Sequence, residues 1–146
     1  MRKVLLTTIF AATLLAASPA FAQSPNFDPG PVWRVTYYHL KPGQADAFWK
    51  DFRENTKPIF EEFKKAGWIV DYKTFTNPVT DHPGDWNVAL SVSYPNYAAL
   101  DQLAAKGASI VIKHYGSRDA ALAAAKKQDD VREVIASHLA REVMSK

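Results

Sequence analysis

The sequence predicts an α+β fold: a four-stranded antiparallel sheet with helices on one face, built in the order βαββαβ. Three observations carry this. Val32–Leu40 is β-branched and aromatic, and Trp86–Tyr94 alternates apolar with small polar residues, as strands do. A long amphipathic stretch follows the first of these segments. An alanine-rich helical region then separates Trp86–Tyr94 from a final alternating segment. The chain has 146 residues, 47% of them hydrophobic, and no cysteine, which excludes collagen-like, disulfide-stapled and highly charged disordered classes.

Residues 1–22 have the three parts of a secretory signal. Arg2 and Lys3 precede an apolar run from Val4 to Ala17, and Ala20-Phe21-Ala22 stands before Gln23. Thr7, Thr8, Thr13, Ser18 and Pro19, with no basic cluster after them, favour cleavage after Ala22 over a membrane anchor. Processing removes Arg2 and Lys3, so the net charge of +3 falls to +1. The sequence pI of about 9.1 is thus largely a property of the precursor. Lys64-Lys65 and Lys126-Lys127 are isolated pairs with acidic neighbours, as solvated helix faces have, and argue against nucleic acid as a partner. A periplasmic or secreted protein, off the membrane once processed, is expected.

Residues 23–31 contain three prolines and Gly30 without apolar periodicity and read as a flexible leader to one domain over 32–146. After the first strand and Lys41-Pro42-Gly43, the residues Phe48, Trp49, Phe52, Ile59, Phe60 and Phe63 form one helical stripe that ends at Gly67. Pro58 interrupts it, at a cost of about 3 kcal/mol in a regular helix, yet the apolar phase continues, which predicts a kink. Trp68–Thr76 alternates as a second strand, and a Pro- and Gly-containing loop through Asp81-His82 reads as solvated. Asn96 opens a helical region that Gly107 weakens, and Ser117 is a candidate N-cap for a further helix. The last segment suits a helix or a strand; a strand over 137–144 is preferred.

This order is the split βαβ, or ferredoxin-like, pattern. It leaves bulky residues on the sheet face away from the helices, so a second subunit is expected to cover that face. The strand, the Lys41-Pro42-Gly43 junction and the long helix after it resemble the opening of dimeric α/β-barrel proteins, including the antibiotic-biosynthesis monooxygenase-like, EthD-like and NIPSNAP-like groups. Small exported bacterial members of unassigned function are the most similar, with Trp86 before the third strand and Leu139-Ala140-Arg141-Glu142-Val143 near the end. The resemblance implies a homodimer whose two sheets face each other as a barrel.

With Leu40 toward the helices, strand parity sends Trp33, Val35, Tyr37 and His39 to the barrel side, together with Asn87, Ala89, Ser91 and Ser93. Aromatic beside small polar residues suits a pocket for a small aromatic or apolar molecule, with Arg34, Tyr37, His39, Asn87 and Ser91 as polar contacts and Trp33, Tyr72 and Trp86 as apolar walls. In a cofactor-independent enzyme His39 would be a base and Asn87 would hold an oxyanion. The competing reading is a non-enzymatic envelope protein whose aromatic face serves only dimerisation or a partner. None of the four histidines has metal-ligand spacing. Haem-degrading members of the superfamily use a helix histidine with an asparagine and a tryptophan, residue types that His114, Asn87 and Trp86 supply, which makes haem a minor alternative. No phosphate loop or nucleophile elbow is present.

Overall fold

Strand β1 (Phe27–Leu40) begins before the expected Val32. The structure, a computed structural model, describes residues 26–146, so the expected signal over 1–22 lies outside the described residues. Residues 27–31, read from sequence as leader, pair with the end of the last strand, β4 (Arg132–Ser145): Phe27 lies opposite Ser145, Asp28 opposite Met144 and Pro29 opposite Val143. Proline is tolerated there because pairing of β1 with β3 (Val88–Tyr94) starts only at Val32, so the other edge of this stretch has no ladder to complete. The pairing slips between Pro29 and Val32, and a Cβ on Gly30 would lie 3.0 Å from Cβ of Glu142.

With β2 (Asp71–Thr76), the sheet has the order β2-β3-β1-β4, antiparallel throughout. Strands β2 and β3 are shorter at their starts than the alternation suggests. The Trp68 N–H is held by Phe63 at the preceding helix end, and Trp86 and Asn87 form a separate corner before β3. The ambiguous last segment is strand along its whole length.

Helices α1 (Ala45–Asp51) and α2 (Lys57–Lys65) are one continuous element joined by a π-helical turn over Phe52–Thr56. The Lys57 N–H donates to the Phe52 carbonyl, the wide i to i−5 bond of such a turn. This is how the chain accommodates Pro58, whose ring would otherwise crowd the carbonyl of Glu54. Helix α3 (Tyr97–Tyr115) is capped by Asn96, whose Oδ1 accepts the Ala99 N–H at 3.0 Å. It stops at Gly116, with φ of 83°, and Ser117 caps α4 (Arg118–Val131) through the Ala120 N–H at 3.0 Å. Gly107 does not interrupt α3: a Cβ there would lie 3.6 Å from Cζ of Phe63, an ordinary contact, and 3.0 Å from Cδ1 of Leu103 on the same helix.

The core lies between the sheet and the α1–α2 element. Val32, Tyr38, Leu40, Val88, Leu90, Val92 and Tyr94 meet Phe48, Ile59 and Phe63, all buried, and each large apolar side chain contributes about 2 kcal/mol by leaving water. Among the described residues no helix lies over the opposite sheet face, and Phe75 on that side is half exposed.

Candidate functional site

Strand alternation divides the predicted site residues between two places. On the open sheet face, the ring of Tyr37 meets Trp86 edge-on at 5.1 Å and His138 at 6.0 Å. Trp33 donates from Nε1 to Glu142 Oε2 at 2.8 Å, and Lys73 Nζ lies over its ring at 5.7 Å. Lys73 and Val35 flank Ser91, which is buried beneath these longer neighbours, as are Ala89 and Ser93. Ser93 is also engaged at the sheet edge, taking the Asp71 N–H and donating to the Asp71 carbonyl.

His39 and Asn87 hold a corner of the same sheet. His39 Nδ1 donates to the Asp85 carbonyl at 2.7 Å, which in the neutral ring leaves the lone pair on Nε2. Asn87 takes the Leu40 N–H on Oδ1 at 2.9 Å and donates its own N–H to Tyr38. Together they pin residues 85–87 to the end of β1.

Arg34, Tyr72 and His114 are not part of this face. Arg34 lies on the helix side over the Tyr94 ring, because even-numbered β1 residues point that way. Tyr72, opposite Val92, packs on Phe52 and Phe60 and donates to Glu61 at 2.6 Å; burial, then Glu61, pushes its phenol up to about 12. His114 bonds Asn55 within the helical layer, so it does not join Trp86 and Asn87, and the residue set expected for haem is not assembled.

The helical layer holds a site that the sequence reading missed. A cavity of about 540 Å³ opens between α1 and α4, lined by Phe48, Asp51, Asn55, Tyr115, Ala120, Ala123, Ala124, Lys127, Gln128, Val131 and Arg132. The α4 members recur at helical spacing on one face, and no residue of α4 is buried. That face is mostly methyl groups and leaves space where larger residues would have packed. The alanine spacing was the available signal.

Two hydrogen-bond chains converge on Asp51 in this cavity. Arg132 donates to Gln128 Oε1, and Gln128 Nε2 donates to Asp51 Oδ2 at 3.1 Å. From the other side, His114 Nε2 donates to Asn55 Oδ1 at 2.9 Å, and Asn55 Nδ2 donates to Asp51 Oδ1 at 2.8 Å. Asn55 belongs to the π-helical turn, a feature that recurs at functional sites. The guanidinium of Arg132 also lies 4.2 Å from the centre of the Tyr38 ring and 5.6 Å from that of Phe48. Burial, and then the nearby Asp51, raise the Tyr115 phenol above its ordinary range. One wall is thus apolar and the other a fixed sequence of cation, amide, carboxylate and amide. A space of this size and character can hold a small molecule and orient it.

Among the described residues, no group of three or more His, Asp or Glu side chains is placed to hold a metal ion, and no helix is long and apolar enough to cross a membrane. No protein-family model and no curated protein matches the chain by sequence. Solved structures do match. HapK from Hahella chejuensis is 12% identical with a TM-score of 0.53, over 79% of this chain and 95% of HapK. A protein from Shewanella oneidensis is 12% identical with a TM-score of 0.52, over 82% of this chain and 97% of its own. A dimeric ferredoxin-like protein from an uncultured marine organism is 11% identical with a TM-score of 0.51, over 82% of this chain and 90% of its own. With sheet order β2-β3-β1-β4, helices on one face and these structural neighbours, the chain has the ferredoxin-like α+β fold.

Proposed function

We propose that this chain is an exported protein that pairs with a second copy through its open sheet face and binds a small molecule in the cavity between α1 and α4. The convergence of two hydrogen-bond chains on Asp51, opposite a wall of alanines, is the observation that carries the binding reading. The pairing reading is supported by the aromatic sheet face, which no helix among the described residues covers and whose rings meet edge to face, as suits a contact surface. A dimeric description of one structural neighbour points the same way. Export is supported by the three-part pattern of residues 1–22.

Two measurements test this. Native mass spectrometry of the protein recovered from the periplasm, at micromolar concentration, is expected to give a dimer whose chains begin at Gln23; a monomer overturns the pairing, and an intact precursor retained in the cytoplasm overturns the export. For the cavity, a neutral probe, methyl 4-hydroxyphenylacetate, is expected to shift the nuclear magnetic resonance signals of the cavity residues. Ala123→Phe, which fills the space, is expected to abolish the shifts. Equal shifts in wild type and Ala123→Phe would overturn the cavity as the binding site.

A further inference from the structure

The charges around the cavity select among small molecules. Arg132 and Lys127 line it as cations and Asp51 as the one carboxylate. Neither cation forms an ion pair among the described residues. Gln128 stands between Arg132 and Asp51, taking a bond from one and giving a bond to the other, so the two charges are held apart and do not neutralise each other. The guanidinium has five N–H donors; one bond goes to Gln128, its centre lies over the rings of Tyr38 and Phe48, and no other side-chain bond from it is made among the described residues. Its remaining edge suits a carboxylate, which a guanidinium can bind through two parallel bonds. Asp51 accepts one amide bond on each oxygen, and a carboxylate has about four acceptor sites, so it retains capacity for a donor on the ligand.

We infer that the cavity takes a small carboxylic acid bearing a second hydrogen-bond donor, with its acid group at Arg132 and Lys127, its donor at Asp51 and its apolar body against Ala120, Ala123 and Phe48. This rests on the reading of the cavity as a binding site. A cationic ligand would face two positive charges against one negative. The apolar wall, in turn, has nothing to offer a fully polar molecule.

The test compares three probes on the processed protein by calorimetric titration: 4-hydroxyphenylacetate, its methyl ester and phenylacetate. The acid is expected to bind about tenfold or more tighter than the ester, the margin of one charge-assisted contact. Phenylacetate, lacking the hydroxyl, is expected to bind more weakly than 4-hydroxyphenylacetate, and Asp51→Asn to narrow that difference. Arg132→Met is expected to remove the preference for acid over ester while the ester still binds. Because Arg132 also packs on Tyr38, Lys127→Met on the outer wall gives a second readout, a smaller fall in the same preference. Equal affinity of acid and ester in the wild type would overturn the assignment of ligand class while the cavity reading stands. Binding of neither, with Ala123→Phe indistinguishable from wild type, would overturn the cavity reading itself.

Discussion

Asp51 and Arg132 are linked through the side-chain amide of Gln128, which takes a hydrogen bond from the guanidinium and gives one to the carboxylate at 3.1 Å. The link ties the end of α1 to the junction of α4 and β4, across the cavity wall. Gln128→Leu removes both bonds and leaves two charged groups short of a partner. The expected loss is about 1–3 kcal/mol, measured as a lower urea midpoint at unchanged slope. An unchanged midpoint would mean that the amide does not hold the two elements together.

Val35 lies on the open sheet face between Ser91 and His138. Val35→Lys places a charge in the proposed contact between copies. Sedimentation is expected to show half the wild-type mass, with the circular dichroism spectrum retained. A variant that stays dimeric would move the interface elsewhere.

Tyr72 contributes a pH dependence. Its folded pKa, raised to about 12 by burial and by Glu61, exceeds the ordinary tyrosine value. The stabilisation from the neutral phenol is therefore complete below pH of about 10 and is lost as pH rises toward 12. Tyr72→Phe also removes the bond to Glu61, at a cost of about 1 kcal/mol near neutrality. The stability gap between wild type and variant is expected to shrink between pH 10 and 12 in urea titrations; a gap constant across that window would contradict the assignment.

Gly107 is a packing residue. A Cβ there would already lie 3.0 Å from Leu103 Cδ1 and 3.6 Å from Phe63 Cζ. Gly107→Val is expected to cost about 1–3 kcal/mol through overpacking, despite the better helix propensity of valine over glycine. A variant with a higher melting temperature than wild type would show that the Leu103 side chain gives way without loss of packing.

The fold was legible where the signal was periodic. The alternation of Val88, Leu90 and Val92, the aromatic stripe from Phe48 to Phe63, the helix start at Asn96 and the cap Ser117 depend on local chemistry and appear where expected. The leader over 27–31 was misread because its prolines argue against a strand, whereas here they lie where one edge has no ladder to satisfy. Pro58 announced an irregularity but not its form, since a π-helical turn depends on keeping Phe52 and Ile59 on the same packed face. Strand parity brought Trp33 and Tyr37 together and also carried Tyr72 and Arg34 to the other side. Neither Gln128 nor Asn55 carries a motif. They matter because α1 and α4 meet, which is tertiary information.

The two proposed surfaces are separate, the sheet face for pairing and the helical cavity for binding. The most direct test is a nuclear magnetic resonance titration of the processed protein with 4-hydroxyphenylacetate, observing the side-chain amides of Asn55 and Gln128 alongside the indole N–H signals of Trp33 and Trp86. The two amides are expected to shift with ligand and the two indoles to stay in place. Movement of the indoles with the amides unchanged would place the ligand between the sheets and contradict that separation.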